Sequence, residues 1–581
     1  MAKIRHNNII DTFAELSDNA KSKGVIQLYT EDESFTGRHI TINKKKLLHF
    51  GTTGYLGLEQ DERVKAAAID AIMKYGTQFP LSKTYLSHSL YAELEEKLKR
   101  MYGYEVIITK NSTLGHMGVM PTIVRDEDAI ILDHQVHWSV QNVSQLIKAK
   151  GLPIEMVRHN DMNMLEYRLK KLSQSRQKIW YFADGIYSMY GDVAPIDDLK
   201  ALCAKYPQLH LYFDDVHGMS WTGKNGTGYV IDQYENDLPE NVIVFTTLSK
   251  TFGASGATMV TSNKEFLHHV KSFGGPLTFS AQLEPASVAA AIASADIHLS
   301  DEIYQLQEEL RERVSYCNEL IAQTDLPLLE QNNCPVFFIG TGAPAMAYSL
   351  TQSLFESGFY TNIGLFPAVP VKKTGIRFTV SRHNKPEDIK VLVDALSKGY
   401  SHGLQQTNQT NNQVRKIFNL PLIEEEVEIY HEASSLVVKV FETIDDVNKE
   451  DWNRAFHGRN LLDYAGLSYL ETTFSNNPKK ESNWLFRYIM IYDETGELVL
   501  ATFFTKALWK NDMFAVEDVS RELERKRTLD PYHQSSEALI MGSLFTEGNH
   551  LYLNAASEYA DLAINDLFNQ VEILDEKLNP E

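Results

Sequence analysis

The chain has 581 residues, more than one hydrophobic core supports, so three or four folding units are expected. Its formal charge of −21 opposes non-specific binding to nucleic acid, whose phosphates call for clustered Lys and Arg, and Lys44-Lys45-Lys46 reads as a solvated face. No uninterrupted apolar stretch approaches the ~18–20 residues of a membrane-spanning helix. The start, Met1 to Asn7, lacks the apolar core of a secretory leader, which makes the cytoplasm the expected compartment. Cys203, Cys317 and Cys334 lie too far apart for metal-ligand or disulfide spacing; they read as reduced thiols, and no metal is expected.

Taken in order, Ile9, Ile10, Phe13 and Leu16 recur at helical spacing between Asn7 and Lys21. Ile40, Ile42 and Leu47-Leu48 then read as strand pieces, and together these make an N-terminal arm, residues 1–50. The loop Phe50 to Leu58 carries three glycines, and helices are expected over Glu62–Tyr75 and Leu90–Tyr102. From Val106 short β-rich runs alternate with helical stretches: Val106–Thr109, Ala129–Leu132, Ile179–Phe182, Leu209–Phe213, Val242–Thr246 and Thr258–Thr261. Such alternation predicts an α/β fold with a mainly parallel central sheet, here a large domain over residues 51–290 with a small α+β lobe over 291–400.

Chemistry in such sheets collects just beyond the carboxyl ends of the strands. After the first run, Ser112 and Thr113 open a helix and can offer hydroxyls and backbone N–H groups to a phosphate, although an ordinary helix cap reads the same way. After the second comes His137, whose ring can stack on a planar cofactor. Asp214 closes the fourth run, where burying a carboxylate is costly unless it meets a cation such as a protonated pyridine nitrogen. His217 follows three residues later, placed to donate to a phenolic oxygen. The fifth run leads into Thr247-Leu248-Ser249-Lys250, an amine suited to a Schiff base with an aldehyde cofactor. A phosphate cup, a stacking histidine, a pyridinium aspartate and a Schiff-base lysine, in that order, suit pyridoxal 5′-phosphate (PLP).

At these residues the chain resembles the α-oxoamine synthases, PLP enzymes of fold type I that join an amino acid to an acyl thioester with loss of carbon dioxide. The resemblance covers Asn7 to Gly399. It is carried by Tyr55-Leu56-Gly57-Leu58, Asp133 with His137 and Ser139, His159-Asn160-Asp161, Tyr187-Ser188-Met189 with Gly191-Asp192, Asp214 with His217, Gly223 with Gly226 and Gly228, and Thr247 to Lys250. It implies Lys250 as the lysine that bears the cofactor, Asp214 on the pyridine nitrogen, His137 over the ring and His217 at the ring oxygen. Ser112, Thr113, Asp184, Ser188 and Thr247 would complete the cofactor site, with Ser280 supplied by a neighbouring subunit of a homodimer. Thr53 and Arg377 would bind substrate, Arg377 as the bidentate ligand of the amino acid carboxylate. Ser112-Thr113, Asp184 in place of a usual Glu, Thr53 in place of an Asn, Lys83 and Tyr91 depart from the usual pattern and leave the amino acid, the acyl length and the thiol carrier (coenzyme A or a carrier protein) open. An aminotransferase on the same scaffold and a non-enzymatic scaffold remain as competing readings.

The polar tract 401–414 has linker composition. Beyond it, residues 415–581, expected strands at Ser435–Phe441, Trp484–Tyr492, Leu498–Thr505 and His550–Leu553, and helices near Glu522–Arg527 and Tyr559–Leu574, form an accessory α/β domain. It weakly resembles part of an acyl-CoA N-acyltransferase fold, without that fold's Gly-rich pyrophosphate loop, so it reads as a degenerate domain or an incomplete one.

Overall fold

The computed structural model describes residues 14, 17–407, 409–423, 436–458, 460–512, 517–546, 548–557 and 559–578. The expected helix at Asn7–Lys21 lies mostly outside the described residues. The chain divides into a unit spanning Ile10–Glu425 and a second containing Glu426–Glu581.

In the first unit, β1 (His39–Ile42) and β2 (Lys45–His49) form an antiparallel hairpin. Seven strands follow in the central sheet: β3 (Val106–Thr109), β4 (Ala129–Asp133), β5 (Ile154–Val157), β6 (Ile179–Asp184), β7 (Leu209–Asp214), β8 (Val242–Thr247) and β9 (Ala257–Val260). Their order across the sheet is β3-β9-β8-β7-β6-β4-β5, and only β9 runs antiparallel to its neighbours. Strands β6 and β8 are buried along their whole length, as a parallel sheet covered on both faces requires. Alternate residues serve opposite faces: Ile179, Tyr181, Leu211 and Val244 join one core, and Trp180, Phe182, Tyr212 and Phe245 the other. The edge strand β5 escaped the sequence reading because Ile154-Glu155-Met156-Val157 is half-buried and carries a charge.

The small lobe is built on an antiparallel sheet of β10 (Val336–Gly342), β12 (Asn362–Gly364) and β13 (Thr374–Thr379), while β11 (Phe359–Tyr360) pairs parallel to β2. The N-terminal hairpin is therefore part of the small lobe's framework, not a free arm, and Arg38 ties it to the helix Pro386–Gln406 through a two-pronged contact with Asp388 at 2.7 and 2.8 Å.

The expected linker at 401–414 is not one. Residues up to Gln406 complete the helix begun at Pro386, and Asn411–Phe418 forms another helix with a Thr410–Gln413 capping box. Val414 and Phe418 are buried in the small-lobe core beside Phe338, and Asn411 Nδ2 donates to the Asp325 carbonyl at 2.7 Å. The polarity of the tract misled because it belongs to the solvent face of one helix and the cap of the next. The division between units falls at residues 425–426.

The second unit is a sheet of β14 (Val437–Phe441), β15 (Leu485–Tyr492), β16 (Leu498–Lys510), β17 (Ser535–Met541) and β18 (Leu551–Leu553), antiparallel at every pairing. Helices Lys449–Ala455 and Tyr464–Thr473 contribute Trp452, Leu467 and Leu470 to the core on one face. The helix Ala560–Leu578 contributes Ala563, Leu567 and Leu574 to that on the other. No helix among the described residues is long and apolar enough to cross a membrane.

Candidate active site

Four neighbouring parallel strands end in polar residues on one edge of the central sheet: Thr247 on β8, Asp214 on β7, Asp184 on β6 and Asp133 on β4. Asp184 and Asp214 are register partners, so two carboxyls stand side by side. Burial pushes Asp214 up, but the hydrogen bond and charge of His116, whose Nε2 lies 3.0 Å from Asp214 Oδ2, outweigh it and hold the carboxyl below its ordinary value. Asp184 goes the other way: burial, then the Asp214 charge, raises it well above the ordinary value. The two carboxyls are thus pushed in opposite directions, with Asp214 favoured as the anion and Asp184 disfavoured. Asp184 Oδ1 also accepts the His137 backbone N–H at 2.9 Å, which fixes the start of the helix Trp138–Lys148.

His116 had been given no role from the sequence. It lies in the helix Ser112–Ile123, and Gly115 lets that helix press on β8, since an added Cβ would stand 2.4 Å from the Phe245 ring. Its Nδ1 meets Tyr212 Oη at 2.6 Å, so both ring nitrogens are engaged. The sequence offered only a histidine among the small and apolar residues of that helix; its full burial is a finding of the structure.

Lys250 lies just past β8, with its Nζ 2.7 Å from His217 Nε2. Burial, opposed by Asp214, lowers the amine to about 8, so about a tenth is the free base at pH 7, far more than for an ordinary lysine. Burial, and then the Lys250 charge, drives His217 well below its ordinary value and keeps it neutral. Its Nδ1 meets Tyr55 Oη at 3.0 Å. A line Tyr55–His217–Lys250 therefore runs into the site, and Tyr55, read from the sequence only as part of a motif, is its outer member. His137, lowered mainly by burial, holds Ser139 Oγ at 2.7 Å through Nδ1.

Arg377 sits on β13 between Ile376 and Phe378, whose side chains fill the small-lobe core. It is buried, against the alternative of a solvent-facing strand arginine, and its Nε donates to the Ser188 carbonyl at 2.7 Å and its Nη1 to Asn362 Oδ1 at 3.2 Å. Thr53 enters through its backbone, its carbonyl accepting from Thr251 Oγ1 at 3.1 Å. Ser112 and Thr113 occupy the first turn of their helix, which Asn111 caps by accepting the Leu114 N–H at 2.9 Å. Thr247 Oγ1 donates to the Gly256 carbonyl and accepts the Ser249 N–H, both at 3.1 Å. Ser280 follows the short helix Gly275–Phe279, next to Phe279, which is 89% exposed.

The aminotransferase class I and II family model matches residues 45–396. The chain belongs to the aminotransferase class I and II family. Similar proteins include the 8-amino-7-oxononanoate synthase of Thermosipho melanesiensis, 30% identical over 389 residues that make up 66% of this chain and 96% of that one. They also include the serine palmitoyltransferase of Sphingobacterium spiritivorum, 28% identical over 68% of this chain and 95% of that one. Both are α-oxoamine synthases, so the resemblance read from the motifs is borne out. A solved serine palmitoyltransferase from S. paucimobilis with a bound PLP–myriocin aldimine is 22% identical, covers 69% of this chain and 99% of its own, and superimposes with a TM-score of 0.63. The first unit has the fold-type-I PLP transferase fold.

Proposed function

We propose that this chain is an α-oxoamine synthase that binds PLP at the carboxyl ends of β6 to β8 and condenses an amino acid with an acyl thioester. The observation that carries this reading is the juxtaposition of a buried, partly unprotonated Lys250 with a neutral His217 on one side and the Asp214–His116 pair on the same sheet edge. The residues fit the group. Lys250 is the amine to carry it, Asp214 is an anion prepared in advance for a ring cation, and His137 offers a neutral ring. Ser112, Thr113 and Thr247 offer hydroxyls to its phosphate, with Ser280 contributed from a second copy, and Asp184 and Ser188 complete the surround. When bound, PLP supplies an electron sink for charge left at the substrate Cα.

The protein's own groups then do the following. Arg377 holds the amino acid carboxylate, its guanidinium plane set by Ser188 and Asn362, and Thr53 borders the substrate. Lys250 Nζ takes the Cα proton, and neutral His217, held by Tyr55, keeps that amine aimed. Asp214 remains ionised through the step. A bond forms from Cα to the acyl carbonyl carbon as the C–S bond breaks and the thiol leaves, and carbon dioxide is then lost, the electron pair left at Cα taking up a proton to give an α-amino ketone. The large apolar side chains left exposed, Met73 at 80%, Tyr85 at 90%, Phe273 at 79% and Phe279 at 89%, support a homodimer with shared sites. A cytoplasmic location agrees with the free state of Cys203, Cys317 and Cys334.

A screen of amino acids against acyl-coenzyme A and acyl-carrier thioesters, following thiol and carbon dioxide together, tests the reading. Equimolar release of the two is expected for the true pair. A 2-oxo acid formed without thiol would instead indicate an aminotransferase.

A further inference from the structure

The turn that follows β6 is fixed at its base and reaches Arg377 at its tip. Ile186 and Val193 form an antiparallel bridge, the Tyr187 N–H donates to the Asp192 carbonyl at 2.9 Å, and the Gly191 N–H donates to the Tyr187 carbonyl at 3.0 Å. Ser188 lies inside this turn, and its carbonyl is the nearer of the two acceptors, with Asn362 Oδ1, that set the Arg377 guanidinium plane. Gly191 has φ +76, and an added Cβ would stand 2.5 Å from the Val336 carbonyl oxygen, so the turn is pressed against β10.

The other side of the turn is gripped by His159, just past β5. Its Nδ1 lies 2.9 Å from Asp133 Oδ1 and its Nε2 2.5 Å from Asp192 Oδ2, with the ring edge-on to Tyr187 at 4.4 Å between centroids. Burial alone would lower the imidazole, but the two carboxylates lift it to about 9, so it is a cation between anions at neutral pH. Asp133 is itself anchored by the Asn160 and Gln135 N–H groups at 2.9 and 2.7 Å and by Tyr181 Oη at 3.2 Å. Asn160 Nδ2 donates to the Val193 carbonyl at 3.1 Å, a second tie to the same turn. A chain of short polar contacts thus connects the ends of β4 and β5 to the residue that orients Arg377.

We propose that Asp133, His159 and Asp192 are positioning residues for recognition of the amino acid carboxylate: they fix the 186–193 turn so that the Ser188 carbonyl aims Arg377. The proposal rests on the reading of Arg377 as the carboxylate ligand. A guanidinium free to rotate would lose the two-pronged geometry while keeping its charge, so amino acid affinity falls and thioester affinity does not.

The test compares Asp192→Ala, Asp192→Asn, Arg377→Ala and the double variant Asp192→Ala/Arg377→Ala in the full-length holoprotein, with KM for each substrate and kcat measured separately. Asp192→Ala is expected to raise the amino acid KM about tenfold, the effect of losing a charge-assisted contact, with the thioester KM within about twofold of wild type. Asp192→Asn keeps an acceptor for His159 Nε2–H and should recover most of the loss, to about threefold. In the Arg377→Ala background, Asp192→Ala should add nothing to the amino acid KM. If Arg377→Ala raises that KM while Asp192→Ala and Asp192→Asn leave it unchanged, or raise both substrates' KM alike, the positioning role is wrong and the Arg377 reading survives. If Arg377→Ala leaves the amino acid KM unchanged, the Arg377 reading falls and takes the proposal with it. Should Asp192→Ala fail to fold, Asp192→Asn alone and in the Arg377→Ala background gives the same comparison.

Discussion

The two units of this chain both pack helices on β-sheets, yet they differ in where ionisable groups lie. In the first, parallel β4, β6, β7 and β8 bring Asp133, Asp184, Asp214 and the segment leading to Lys250 to one edge. In the second, antiparallel strands send successive carboxyl ends to opposite edges, and an ion pair with little exposure among its described residues is local: Arg527 Nη2 meets Asp512 Oδ1 at 2.5 Å, with Ser520 adding a hydrogen bond to Asp512 at 2.6 Å. Parallel topology concentrates functional groups, whereas antiparallel topology disperses them unless loops gather them again. The comparison places the chemistry in the first unit and predicts that the second leaves it unaffected.

The largest effect should come from Lys250→Ala. Turnover should drop at least about 10³-fold, the range lost with a general base and more if the covalent anchor goes too, and the long-wavelength absorbance of the holoprotein should vanish. Asp214→Asn comes next. It should retain cofactor yet slow exchange of the Cα proton of bound amino acid by about 10²-fold, because a neutral amide cannot hold a ring cation; wild-type exchange by NMR would contradict the role. Below these lies a pH effect. The Lys250 amine, lowered to about 8 mainly by burial, reacts only as the free base. Cofactor capture by stripped protein should therefore rise about tenfold per pH unit up to about 8 and then level off. A rise continuing to pH 10 would mean an amine with an ordinary value.

The smallest expected effect sharpens the comparison between units. A chain ending at residue 425 should keep thiol release within about twofold of the full chain, because every residue assigned to the site lies in the unit Ile10–Glu425. A chain ending at residue 410 removes Val414 and Phe418 from the small-lobe core and should unfold several degrees lower, since losing a buried Phe costs about 3–5 kcal/mol. Equal melting temperatures for the two truncations would argue against the packing of the helix Asn411–Phe418.

Much of this was legible in the sequence because fully buried parallel strands leave continuous apolar runs, and a charged residue ending such a run stands out. Asp214 and Lys250 were visible for that reason. His116 and the His159 anchor were not, because their partners lie 98 residues away on Asp214 and on both sides of the chain, at Asp133 and Asp192. The 401–414 tract failed for a different reason: a helix exposing one polar face and capped by Thr and Asn has the composition of a linker. In the antiparallel second unit β15 and β16 are apolar runs and were expected as strands, but β17, with Ser535-Ser536-Glu537 at its start, lacked the apolar content to be read.

The most direct test of the central claim is to reduce the holoprotein with borohydride, which fixes a cofactor–lysine bond, and to map the modified peptide by mass spectrometry. The cofactor should be found on Lys250 alone, at the end of β8. Modification of Lys83, Lys110 or any lysine of residues 426–581 in its place would contradict the site described for this chain.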